Sequence, residues 1–259
     1  YRAGKAITTG QYNTVVGQTA LETEDAGSGT TAVGNNAAAL QNGASGIVAI
    51  GYSAGYNNVT GTNNTWVGHQ AGQGATDQSN SNNVGVGKDA LLSVTDGEGT
   101  VAVGYEAGKA ITTAERNTFV GRIAGTAIDT GNYNVAVGGS AIGTATNALR
   151  NTAVGYNAMA DVDDGDAVDG CVAVGYGALM GNASNTTAID GTIAVGYNSL
   201  AALTTGAYNT AVGYLALQTN QDGSYNTAVG YEALEVFEAD TLNHGNNTVT
   251  TDQDAGGNG

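Results

Sequence analysis

Tyr225-Asn226-Thr227-Ala228-Val229-Gly230-Tyr231-Glu232-Ala233-Leu234 decides the fold, because imperfect copies of this stretch recur along nearly the whole chain. With its glycine as anchor, the equivalent positions are Gly17, Gly34, Gly51, Gly68, Gly87, Gly104, Gly121, Gly138, Gly155, Gly175, Gly196, Gly213 and Gly230. Nine of the twelve spacings are 17 residues and the others are 19, 20 and 21. A short fixed period marks an architecture in which one small unit stacks on its neighbours.

Positions are numbered below from the anchor. Position −1 is always Val or Ile, as in Val16, Val33, Ile50, Val67, Val120, Val154, Val212 and Val229. Position −3 is Thr, Val or Ile, and position −2 is usually Ala. Asn dominates position −4: Asn13, Asn64, Asn83, Asn117, Asn134, Asn151, Asn209 and Asn226. Position +3 is Ala in every copy except Ser199. This two-residue alternation predicts a short strand with the branched pair on one face and Asn with Ala on the other. Val and Ile are expected to form a dry ladder, with the Thr-bearing column as core and the Asn amides bonding along the stack. Both faces look suited to burial, one of them against a partner chain. The anchor glycine serves a backbone turn or a close approach. Turn signals such as Thr9-Gly10, Thr130-Gly131 and Asp222-Gly223 separate the copies. Helical repeats are excluded by the density of Gly and Asn and by a period shorter than theirs.

The expected fold is therefore all-β, a parallel β-solenoid or β-roll of about fourteen coils with a 17-residue period. Residues 1–251 would form one repeat domain, and 252–259 a flexible tail or linker. Coils stacked about 4.8 Å apart make a rod on the order of 60–70 Å long. Residues 1–9 parallel residues 105–113, so the chain is expected to be a piece of something longer, its ends covered by flanking domains or partner chains.

Composition agrees. There are 42 glycines, no proline, two phenylalanines and one tryptophan, and the 41% apolar fraction is mostly Ala and Val. These small and β-branched residues suit thin stacked strands rather than a bulky core. Seven basic against 23 acidic residues leave a net charge of 7 − 23 = −16. Such a chain repels phosphate backbones and anionic membrane surfaces, which excludes nucleic-acid binding and direct membrane insertion as expected functions. The single cysteine, Cys171, excludes an intrachain disulfide.

Few residues depart from the repeat in a way that suggests chemistry. Asp161, Asp163, Asp164, Asp166 and Asp169 surround glycines in one enlarged spacing, and five carboxylates can supply the oxygen ligands Ca²⁺ prefers. The plainer reading is an acidic solvent loop, and no cofactor is otherwise required. Tyr52, Tyr105, Tyr156, Tyr176, Tyr197, Tyr214 and Tyr231 follow anchors directly. They suit a structural ring-on-ring ladder, or a platform for glycan faces. Trp66 and Phe119 interrupt the Ala column and are candidates for packing or for ligand contact. His69 and His244 lack companions at metal-ligand spacing, and Cys171 reads as a small buried residue.

Ile47-Val48-Ala49-Ile50-Gly51, Cys171-Val172-Ala173-Val174-Gly175 and Thr192-Ile193-Ala194-Val195-Gly196 resemble the head motif of YadA-like trimeric autotransporter adhesins. The full ten-residue unit also resembles repeats of phage tail fibres. The resemblance implies a left-handed roll, a homotrimer, and an extracellular place on a cell-surface appendage or virion fibre. It departs in its longer period, its frequent Tyr after the anchor, and its lack of a neck or heptad stalk.

These readings lead to a non-enzymatic adhesion or receptor-binding module that displays loops 73–82, 161–170, 181–191 and 235–247 from a rigid rod to a glycan or protein receptor. The alternative is a structural subunit of a self-assembling extracellular filament. A depolymerase lacks its recurring carboxylate pair. An ice-binding Thr array is interrupted by Val48, Val84, Val101, Val135 and Val172.

Overall fold

The structure is a computed structural model, and it describes residues 2–75, 78–162, 168–182, 188–236 and 249–251. The chain divides into two compact units, Tyr1–Asn134 and Val135–Gly259. The first carries β1 (Thr14–Val16), β2 (Thr31–Val33), β3 (Val48–Ile50), β4 (Thr65–Val67), β5 (Val84–Val86), β6 (Val101–Val103) and β7 (Thr118–Val120). The second carries β8 (Val135–Val137), β9 (Thr152–Val154), β10 (Val172–Val174), β11 (Ile193–Val195), β12 (Thr210–Val212), β13 (Thr227–Val229) and β14 (Val249–Thr251). Within each unit every strand pairs in parallel with the next in the chain, and the register keeps equivalent repeat positions side by side: Thr14 faces Thr31, and Val174 faces Val195. No helix occurs among the described residues. The protein is thus an all-β parallel β-solenoid with one strand per repeat.

Each strand from β1 to β13 spans positions −3 to −1 and ends at the anchor. The anchors adopt φ between +131° and +143°, a region closed to residues with a Cβ. A Cβ built on Gly104 would also overlap the carbonyl oxygen of Gly121 in the next coil. Glycine is therefore needed twice over, for conformation and for the close approach of successive coils.

Beyond the anchor the chain turns by a device that the repeat pattern does not announce. Positions +2 and +4 are both left-handed, as at Asn157 (φ 57°) and Met159 (φ 53°). A left-handed conformation costs a non-glycine residue roughly 1–2 kcal/mol. Here it aims the +4 side chain inward, where Leu21, Leu91, Ile142, Met159, Leu179, Leu200 and Leu217 are fully buried. Complete burial of such a chain contributes about 1.5–3 kcal/mol, enough to offset the strain. The turns bond from coil to coil as the strands do, for example Leu21 N–H to Ala37 O at 2.9 Å.

The interior corrects the expected assignment of faces. It is lined by the −4 and −2 columns, so Asn and Ala point inward: Ala32, Ala102, Ala153 and Ala211, with Asn64, Asn134, Asn151 and Asn209, are fully buried. The expected dry ladder of Val and Ile lies outside instead, with Val16 57% and Val229 44% exposed and Thr14 also exposed. The physical reason is the narrowness of the coil. Its lumen takes Ala at −2 and +3, the larger +4 side chain and, at +7, residues such as Val94, Ile111, Ile128 and Leu203, which leaves no volume for the −3 and −1 columns as well.

Candidate functional site

The Asn column is a structural device built on backbone groups. Asn83 Nδ2 donates to Gly97 O at 2.8 Å, while its Oδ1 accepts from Thr100 N–H at 2.8 Å. Asn64 and Asn117 repeat the pattern, donating to Asn80 O and Gly131 O and accepting from the next coil's N–H. Each amide thus satisfies a buried carbonyl at a turn and a buried N–H at the start of the next strand. The expected bonding along the stack is present, but it runs mostly from side chain to backbone. A direct Asn–Asn bond joins Asn134 Nδ2 to Asn117 Oδ1 at 3.1 Å.

Trp66 and Phe119, weighed above for ligand contact, are fully buried and reach no solvent. The ligand role is corrected to packing. Each ring fills space vacated at position +4, which is Gly55 and Gly72 beside Trp66 and Gly108 and Gly125 beside Phe119. The indole N–H of Trp66 finds no hydrogen-bond partner there.

Of the five aspartates proposed for Ca²⁺, Asp163, Asp164 and Asp166 lie outside the described residues. Asp169 is held by Arg150, whose Nε lies 2.8 Å from Asp169 Oδ1 and whose Nη2 meets Oδ2. That pairing keeps the Asp169 carboxyl below its ordinary range. Asp161 sits on a parallel bridge to Gly181. Among the described residues no three His, Cys, Asp or Glu side chains converge as a metal site. Cys171 is buried in the Asn column with Sγ 3.1 Å from Ile189 O, and burial pushes its thiol up to about 12.

What remains exposed is a set of columns. Positions −3 and −1 form a face of Thr, Val and Ile without a charged residue. Position +1 borders it. In the second unit that column stacks Tyr156 on Tyr176, Tyr197, Tyr214 and Tyr231, with ring centroids 5.2–5.5 Å apart and planes within 19° of parallel. Inner rings cover one another's faces and offer their edges and hydroxyls outward. This favours the structural ladder over a platform of open ring faces. A second aromatic column, absent from the sequence reading, lies at −5. Tyr12, Tyr133, Tyr208 and Tyr225 occupy it, all left-handed and more than half exposed, and Tyr208 stacks on Tyr225 at 5.2 Å. Its signal was Tyr directly before the ladder Asn.

In the first unit the +1 column is mixed: Tyr52, His69, Lys88, Tyr105 and Arg122 on five successive coils. Tyr52 stacks on His69 at 5.1 Å. Lys88 Nζ lies 5.2 Å from the Tyr105 ring centroid, and Arg122 Cζ 5.8 Å. Beside them Lys88 Nζ pairs with Asp89 at 2.8 Å, and Lys109 Nζ with Glu106 at 2.9 Å. The exposed columns thus provide rings, hydroxyls and a few fixed cations, groups suited to non-covalent recognition.

No family model, curated protein or solved structure matches the chain.

Proposed function

We propose that this chain is an extracellular fibrous adhesion or receptor-binding module, assembled from three copies and acting by rigid display rather than by catalysis. The observation that carries the reading is the outer face at positions −3 and −1, where β-branched residues are half-buried or exposed in every coil from β1 to β13, as at Val16, Ile50, Val103, Val154, Ile193 and Val229. A repeated uncharged face of this kind loses exposed apolar area when a second copy covers it. The head-motif resemblance of Ile47–Gly51, Cys171–Gly175 and Thr192–Gly196 supports three copies and an outer-surface location.

The same stacking supports display. Coil-to-coil hydrogen bonds run through strands and turns alike, so groups on the surface of each unit hold fixed spacings. Repeated weak contacts along such a surface combine into useful avidity. The test is an array of neutral and acidic glycans together with extracellular-matrix proteins, probed with the labelled chain. Saturable binding to one ligand class is expected. Absence of binding throughout, together with growth of the free chain into filaments, would replace this reading with a purely structural subunit.

A further inference from the structure

We infer that the Tyr52–Arg122 row of the first unit is a binding site for acidic polysaccharide, a glycan bearing sulfate or carboxylate groups. The inference rests on the receptor-binding reading and names its ligand class. Charge is the first argument. The chain has only seven basic residues against 23 acidic ones. Three of the seven, Lys88, Lys109 and Arg122, belong to this row and its border. Two carboxylates, Asp89 and Glu106, are paired with them. Among the described residues no carboxylate lies within ion-pair distance of Arg122, so its guanidinium keeps its donors for an incoming anion.

Geometry is the second argument. Lys88 and Arg122 stand two coils apart on either side of Tyr105, so strand spacing alone sets them about 9.6 Å from one another. Both are tethered over the same ring, which limits the side-chain entropy lost on binding. Asp89 is buried, with Oδ2 on Lys88 Nζ and His69 Nδ1 3.7 Å from Oδ1, and it anchors the row from beneath. A polyanion lying along the row meets two cations, Lys88 and Arg122, two coils apart, with Tyr105 and Tyr52 edges against its apolar faces. A nucleic acid carries the same sign of charge, so an oligo-dT strand is the control that separates the two.

The experiment immobilises heparin, unsulfated dextran and an oligo-dT strand, and measures binding of the full chain at several salt concentrations. Expected are saturable, salt-sensitive binding to heparin and none to dextran. Arg122→Ala should weaken heparin binding roughly tenfold, the scale of one charge-assisted hydrogen bond. Arg116→Ala, which removes an exposed cation from the −5 column, should leave it unchanged. Arg122 is exposed, so its loss spares the core, and an unchanged melting profile verifies folding. Heparin binding that Arg122→Ala and Arg116→Ala reduce equally, or oligo-dT binding as strong as heparin, overturns the inference. Binding to neutral glycans or proteins without heparin overturns the inference alone. Loss of all ligand binding overturns the receptor-binding reading with it.

Discussion

Trp66 and Gly72 share one space inside the first unit, since a Cβ built on Gly72 would overlap Trp66 Cδ2 and Cε3. The relationship runs through the repeat as a rule of volumes. Where position −2 is aromatic, position +4 of the same coil and of the coil before it is glycine: Gly72 and Gly55 for Trp66, Gly125 and Gly108 for Phe119. Where −2 is Ala, +4 is free to carry Leu, Ile or Met, as in Ala153 with Met159 and Ala194 with Leu200. At native packing density a narrow lumen has no room for an aromatic ring at −2 together with a large side chain at +4.

Exchange of partners is the direct consequence. Trp66→Ala should cost about 3–5 kcal/mol of stability through the cavity it leaves. Gly72→Leu alone should destabilise by steric overlap. The double variant Trp66→Ala/Gly72→Leu should lose clearly less than the sum of the two, because Leu91 shows that this position accepts Leu at φ 51°. Chemical denaturation of the four proteins measures the coupling, and strict additivity would contradict the shared-space account.

The anchor glycines should be the least replaceable residues in the chain. Gly104→Ala meets both a φ of +143° and the Gly121 carbonyl, whereas Gly29→Ala has a positive φ but no atom within 4 Å. Gly29→Ala should cost on the order of 1–2 kcal/mol, the strain of one left-handed residue. Gly104→Ala should cost more, and comparable melting temperatures for the two variants would refute the steric part of the argument.

Loss of an interior amide should be expensive for its backbone partners. Asn83→Ala strips acceptor and donor from Thr100 N–H and Gly97 O, which an interior of Ala side chains cannot replace. A cost of about 1–3 kcal/mol is expected. Asn35→Ala, at a half-buried surface position whose amide meets Gln18, should be nearly neutral.

Cys171 should be chemically silent in the native protein. Its thiol stays protonated until about pH 12, so thiol reagents at neutral pH should react only after unfolding. The folded value lies above the ordinary 9.0, so between pH 9.0 and about 12 the native state binds more protons than the unfolded chain. Stability from this group is therefore complete below that window and falls as pH rises through it. Cys171→Ser should flatten that part of the slope, and rapid labelling of the native protein would show the burial to be wrong.

Much of the fold was legible because a solenoid writes its geometry as a period. Val33 and Ile50 fall in the strands, the anchors end every strand through β13, and equivalent residues stand side by side as the spacing implied. The assignment of faces was less legible. Thr-x-Val alternation marks two faces but not which one a thin coil encloses, and the volume at position +4 decides that question. Leu179 in a left-handed conformation defies the usual preference of branched-chain residues, so propensity alone points away from the turn it makes. Of the site, the +1 tyrosines were visible as repeat members. The row from Tyr52 to Arg122 was not, because it becomes a row only when five coils are stacked.

The measurement closest to the central claim is the solution mass of the chain by light scattering, extrapolated to low concentration. The face at positions −3 and −1 predicts self-association, the proposed assembly of three copies corresponds to 3 × 25.6 kDa, or about 77 kDa, and replacing Val103 and Val120 on that face with Asp should lower the mass. A stable mass near 25.6 kDa at all concentrations, with the face left open to water, would contradict the account.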